Sequence, residues 1–214
     1  MNSFNTVKYH LEKNPVVPVA VLESPDRALF AVELLLKYSI SMIEVTLRTE
    51  EAFDCIAAIA ERFGDIMVGA GSVLKVRDAV RARDAGAKFG VAPCLDRALL
   101  DYSDSVEWPF IPGISTPSEL NTALSRCGIV KVFPASSIGG VEYIRSMCAP
   151  FSMVDFKLFP TGGINPENFR DFLGLDKVIS CGMSYIIDRK LVSAGDFTEI
   201  EKRIIRIRER LADL

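Results

Sequence analysis

Histidine is nearly missing from this chain: 214 residues contain one, His10. No HExxH motif, histidine-based metal cluster or Ser-His-Asp triad can be assembled from it. An acid, base or nucleophile must come mainly from Lys, Glu, Asp, Cys or Tyr. The five cysteines (Cys55, Cys94, Cys127, Cys148, Cys181) form an odd set with no CxxC pair, which argues against a disulfide framework or a structural zinc site. No apolar run approaches the roughly 18 residues that span a bilayer. The strongest, Val16–Leu22, is strand-sized and holds Pro18. A basic excess is absent too: the net charge is −3, pI is near 5.4, and Lys and Arg are scattered. Nucleic acid and anionic membrane are therefore not the expected partners. The start, Met1–Lys8, lacks the basic-then-apolar pattern of a signal peptide, so the expected compartment is the cytoplasm.

What remains is an ordinary globular composition, 49% hydrophobic and 25% charged, on a chain long enough to bury a large core. Strand-like runs occur at Val16–Val21, Ser41–Leu47, Ile66–Ala70, Lys88–Ala92, Phe110–Gly113, Ile129–Phe133, Asp155–Phe159 and Val178–Cys181. Their spacing of about 20 to 26 residues is the length of one strand-plus-helix unit. Between them, apolar residues recur at helical spacing, as in Ala28, Ala31, Val32, Leu35 and Leu36. Ser24-Pro25, Thr116-Pro117 and Asn165-Pro166 each set a capping side chain before a proline, and Glu119 completes a capping box with Thr116. A last helix is predicted from about Asp196, with Ile200, Ile204, Ile207 and Leu211 inward. Met1–Lys13 is predicted to add a helix before the first strand. No linker or composition break divides the chain. The expectation is one α/β domain over 1–214, a (β/α)8 TIM barrel with an extra N-terminal helix. An open doubly wound sheet is the competitor, disfavoured by the lack of GxGxxG after the first strand.

A barrel carries its chemistry at the C-terminal ends of its strands. Along Ile43–Arg48, alternation puts Glu44, Thr46 and Arg48 on one face and Ile43, Val45 and Leu47 on the helix-facing side. An inward carboxylate and guanidinium are costly unless something uses them. In Ile129–Pro134, Lys131 shares its face with Ile129 and Phe133. Burial disfavours the charged form of a lysine, and the neutral amine attacks carbonyls. Lys157 repeats the Lys-x-Phe-Pro pattern one strand later, and spacing alone does not choose between the two lysines. Lys157 does lie four residues, roughly 13 Å of extended chain, below Thr161 at the strand mouth, where pairing with carboxylates lower in the barrel is expected. Thr161-Gly162-Gly163 followed by Asn165-Pro166 reads as strand, glycine turn and helix start, and Cys181-Gly182-Met183-Ser184 closes the last unit. Glycine turns after the seventh and eighth strands suit phosphate. Cys94 is near the mouth, but no histidine is there to activate it.

These residues fall into a known pattern. Val16–Val19, Ile43-Glu44-Val45-Thr46-Leu47-Arg48-Thr49, Val68-Gly69-Ala70-Gly71-Ser72-Val73, Ile111–Pro117, Lys131-Val132-Phe133-Pro134-Ala135 and Pro160-Thr161-Gly162-Gly163-Ile164 closely resemble the 2-keto-3-deoxy-6-phosphogluconate (KDPG) / 4-hydroxy-2-oxoglutarate (KHG) aldolase family, over nearly the whole chain. The resemblance implies a class I aldolase on a (β/α)8 barrel, usually homotrimeric, needing neither metal nor cofactor and acting on a small keto acid. It implies Lys131 as the Schiff-base lysine and Glu44 as general acid/base. Arg48 and Ser72 would bind the carboxylate of the pyruvate moiety. Pro93 and Phe133 would wall its methyl group, Thr161 would contact the substrate chain, and Gly162, Gly163 and Ser184 would cradle the phosphate. Met183 stands where the family normally has glycine, and is expected either to point away from the anion or to crowd it. Ala92-Pro93-Cys94 and Ala135-Ser136 also depart from the usual pattern. Alternatives are an aldolase for the galactonate epimer or for 4-hydroxy-2-oxoglutarate, a phosphosugar epimerase or isomerase, and a non-catalytic phosphosugar-binding protein.

Overall fold

The computed structural model describes residues 3–212. Helix α1 (Ser3–Lys13) precedes β1 (Val16–Ala20), and α2 (Pro25–Lys37), β2 (Met42–Thr46), α3 (Ala52–Arg62), β3 (Met67–Gly71), α4 (Val76–Asp84), β4 (Phe89–Val91) and α5 (Arg97–Ser105) follow. The second half holds β5 (Phe110–Ile111), β6 (Gly113–Ile114), α6 (Pro117–Leu124), β7 (Ile129–Val132), α7 (Gly140–Cys148) and β8 (Lys157–Pro160). It ends with α8 (Phe169–Leu173), β9 (Cys181–Met183), α9 (Arg189–Ala194) and α10 (Phe197–Ala212). Met1 and Asn2 of the predicted first helix lie outside the described residues.

Every strand pair described is parallel. One ladder runs β5-β4-β3-β2-β1-β9 and the other β6-β7-β8. They separate at Pro112, where one predicted strand, Phe110–Gly113, becomes two short ones. Proline has no N–H to give a ladder, so pairing stops on one side and resumes on the other. At the far edges, single bridges join Leu158 to Val178 and Thr161 to Gly182. Side chains from both ladders meet in one apolar cluster: Val17, Met42, Met67, Phe89, Ile111, Ile129 and Phe159. The sheet is therefore curled around that cluster. The alternate residues, such as Ile43, Val45, Val130 and Val132, pack outward against the helices. The result is an α/β fold with a curled parallel sheet.

Helix α1 shuts one end of it, sending Val7 and Leu11 into the inner cluster. Asn14 fixes that closure. Its Oδ1 accepts from Ser41 N–H at 2.9 Å, and its carbonyl accepts from Ser180 Oγ at 2.5 Å. The C-terminal strand ends are left for chemistry.

The predicted caps at Ser24 and Thr116 form, the latter as a complete capping box with Glu119. The predicted helix start at Asn165-Pro166 does not: α8 begins at Phe169 and is one turn and a half long. Asn165 Oδ1 instead accepts from the N–H groups of Glu167 and Asn168, and Asn168 Oδ1 accepts from Asn165 N–H. These local bonds hold a turn in place of a helix. The predicted last strand, Val178–Cys181, also shifts, since ladder pairing with β1 runs from Cys181 to Met183.

Candidate active site

Lys131 and Glu44 are the only charged residues fully buried among those described. They face each other from β7 and β2, with Lys131 Nζ 3.3 Å from Glu44 Oε1. Strand alternation puts them there, because Ile129 on β7 and Met42 on β2, each two residues away, belong to the inner cluster. The ammonium group also lies over the Phe133 ring, 5.5 Å from its centre. Glu44 Oε2 has no partner, and neither has the buried Thr161 Oγ1. An unpaired buried oxygen is costly, and both of these have acceptor capacity to spare.

Above the pair lies a cavity of about 240 Å³. Arg48 and Thr46 line one side, Phe133 and Thr161 another, and Gly162, Gly163 and Ser184 its rim. Of these, Thr46 shares the inner face of Glu44, and its hydroxyl donates to the Ala20 carbonyl at 3.0 Å. Gly182, from the glycine turn expected after the last strand, also lines the cavity, as do Val19, Val21 and Ile164, which carry no chemical signature in the sequence. Arg48 Nε donates to Ser72 Oγ at 3.3 Å. Ser72 sits at φ 57°, a left-handed conformation that is strained for a non-glycine residue and turns its hydroxyl toward Arg48. Pro93 and Ser72 are not among the residues that line the cavity, and the contact that places Pro93 is with β6. The Pro93 backbone presses on Gly113, the register partner of Lys131, leaving no room for a side chain there.

Two glycines make the rim possible. Gly162 and Gly163 have φ of 99° and 75°, and a Cβ on Gly163 would come within 2.6 Å of Ser136 Cβ. A third glycine makes the pair below possible: a Cβ on Gly71 would overlap Glu44 Oε1. The sequence marks Gly71 as part of the Gly69–Ser72 motif but not as the residue that leaves room for Glu44.

Met183 does not crowd the rim. Its side chain is fully buried in the sheet–helix core, its φ is not positive, and the intervening Gly182 faces the cavity. Once β9 extends to Met183, strand alternation turns 181 and 183 outward together. Met183→Ala is therefore expected to cost about 2–5 kcal/mol of stability by leaving a core cavity. Thermal melting checks this, and an unchanged Tm would contradict the outward packing.

Lys157 lies apart from the pair. It is part-exposed and donates to the Asp176 carbonyl at 3.1 Å, so the expected carboxylate partner is replaced by a backbone oxygen. Cys94 is exposed, and partial desolvation of its thiol together with the nearby Asp96 and Glu119 pushes its pKa up, away from thiolate chemistry. No group of three or more His, Cys, Asp or Glu side chains suited to a metal occurs among the described residues. No described helix is long and apolar enough to cross a membrane.

A curled parallel α/β sheet with one buried amine–carboxylate pair under a cavity lined by a guanidinium and a glycine turn is the architecture of an enzyme for an anionic substrate. The family model described as KDPG and KHG aldolase matches residues 7–203, and the chain belongs to that family: it is an aldolase, a carbon–carbon lyase. It is 40% identical over 194 residues to the KHG/KDPG aldolase of Escherichia coli K12, covering 90% of each chain. It is 32% identical to the 2-dehydro-3-deoxy-phosphogluconate aldolase of Haemophilus influenzae, covering 91% of each. Among solved structures it is similar to the KDPG aldolase of Legionella pneumophila, captured with pyruvate as a covalent carbinolamine, with a TM-score of 0.88 and 30% identity over 94% of this chain and 97% of that one.

Proposed function

We propose that this chain cleaves 2-keto-3-deoxy-6-phosphogluconate to pyruvate and glyceraldehyde 3-phosphate as a class I aldolase. One observation carries the reading: the buried Lys131–Glu44 pair beneath a cavity that offers a guanidinium on one side and a glycine turn on the other. Lys131 Nζ attacks the C2 ketone, giving a carbinolamine, and loss of water gives a protonated imine. The iminium takes up the electron pair as C3–C4 breaks. Glu44, through its unpaired Oε2, protonates the departing hydroxyl during dehydration and takes the C4 hydroxyl proton during cleavage. Arg48 and Ser72 hold the carboxylate of the pyruvate moiety, Pro93 and Phe133 wall its methyl group, and Thr161 contacts the substrate chain. Gly162, Gly163 and Ser184 hold the phosphate. No metal and no cofactor takes part.

The two ladders close, in this reading, into one (β/α)8 barrel with α1 across its floor, a single domain over 1–214. The inner cluster shared by both ladders and the edge bridges at Thr161 and Leu158 support that closure. The resemblance supports a cytoplasmic homotrimer, which sedimentation would test.

Pyruvate release from a panel of keto-deoxy acids tests the substrate. The phosphorylated gluconate acid is expected to exceed its unphosphorylated form in kcat/KM by at least about tenfold, as one lost charge-assisted hydrogen bond is worth about 1.5–3 kcal/mol. Equal values would remove the phosphate from the glycine turn. The name of the Escherichia coli relative favours 4-hydroxy-2-oxoglutarate as the second substrate to assay.

A further inference from the structure

Behind Arg48, on the side away from the glycine turn, lies a second cavity of about 300 Å³. Arg48 lines both cavities, so the two share this residue. Arg77 and Arg81 line the second one from α4, four residues apart and thus on one helix face. Like charges at that spacing repel, and an anion lying between them would relieve the repulsion. The Arg81 guanidinium is stacked on the Phe53 ring, 3.8 Å from its centre, which orients its donors. Glu50 and Asp78 also line this cavity, but Asp78 is bonded to Arg77 at 3.3 Å. Three guanidinium groups against two carboxylates leave one net positive charge, with Arg48 and Arg81 free of carboxylate partners among the described residues.

We propose that the Arg48–Arg77–Arg81 cavity is a second anion site, which takes a small multivalent oxyanion and thereby competes with substrate for Arg48. Carboxylates and phosphates share the chemistry required, bidentate acceptance from guanidinium forks. A ligand bound there draws the Arg48 fork out of the substrate cavity, so its effect falls on KM and not on kcat. This coupling rests on Arg48 holding the substrate carboxylate.

The experiment uses citrate in one arm and inorganic pyrophosphate in the other, each measured by calorimetric titration and by its effect on pyruvate release. Wild-type protein is expected to bind at least one of them and to show KM raised severalfold at unchanged kcat. Arg77→Gln and Arg81→Gln are each expected to weaken binding at least about fivefold and to reduce the anion-induced rise in KM in proportion. Melting curves for both variants verify folding. Binding undiminished in both variants would overturn the site and place the anion elsewhere, as at the glycine turn. Binding that both variants weaken, with KM never altered, would overturn the competition and count against the assignment of Arg48 to substrate, whereas the pyruvate panel tests the aldolase reading separately. Activity in the citrate arm alone would identify the ligand as a polycarboxylate, and in the pyrophosphate arm alone as a phosphate compound.

Discussion

Borohydride added with pyruvate is expected to fix a three-carbon adduct on Lys131, and Lys131→Met to abolish both the adduct and turnover, the latter by at least about 10⁴-fold. The adduct requires an amine beside a group that can carry protons and within reach of a bound carbonyl. Lys131 is 4% exposed, lies 3.3 Å from Glu44, and stands two residues before Phe133, which lines the cavity. Lys157 meets none of these conditions, since it is part-exposed and already bonded to the Asp176 carbonyl. Peptide mapping decides between them, and an adduct on Lys157 would overturn the mechanism. The variant has a second consequence. Removing the ammonium leaves Glu44 as an unpaired buried charge, which costs about 3–5 kcal/mol. For a domain of this size that is a fall in Tm of very roughly 6–20 °C. Combining Lys131→Met with Glu44→Gln removes the charge with its partner. The double variant is expected to recover most of the lost stability and none of the activity. Recovery of Tm without turnover separates the chemical role of the lysine from its structural one.

The pair was legible because side-chain period in a strand is two. Lys131 shares its face with the apolar Ile129 and Phe133, whereas Glu44 shares a polar face with Thr46 and Arg48 and leaves Ile43 and Val45 to the helix side. Strand ends were less legible. Val178–Cys181 reads as a natural apolar run, yet ladder pairing depends on β1, so β9 begins at Cys181. That shift moves Met183 from a turn into a strand and from the rim into the core. Pro112 was a visible signal for the break between β5 and β6, but the apolar residues on both sides concealed it. At Asn165, the Asn-Pro pair resembles a helix cap, whereas Asn165 and Asn168 satisfy each other's backbone groups locally. Least legible was Gly71. A residue without a side chain shows its purpose only through what occupies the space left for it.

That space gives the second large effect. Gly71→Ala is expected to lower turnover by about 10²–10³-fold and stability by about 1–3 kcal/mol. The new Cβ would overlap Glu44 Oε1 and lie 2.6 Å from its Cγ and Cδ. Gly71 is held by the ladder opposite Thr46, and its carbonyl accepts from Leu47 N–H at 2.8 Å, so the backbone has little freedom to retreat. Glu44 must move instead, and the movement takes its carboxylate away from Lys131 Nζ. Gly64→Ala serves as the control, because nothing lies within 4 Å of a Cβ there and its φ is not positive. It is expected to leave both quantities unchanged. A further variant identifies the clash as the cause. Glu44→Asp draws the carboxylate back by one methylene, so Gly71→Ala combined with Glu44→Asp should melt higher than Gly71→Ala alone. Turnover should stay low in the pair, since the shortened acid no longer reaches the substrate proton. Additive losses of stability in the double variant would mean that Gly71 and Glu44 do not contend for the same space.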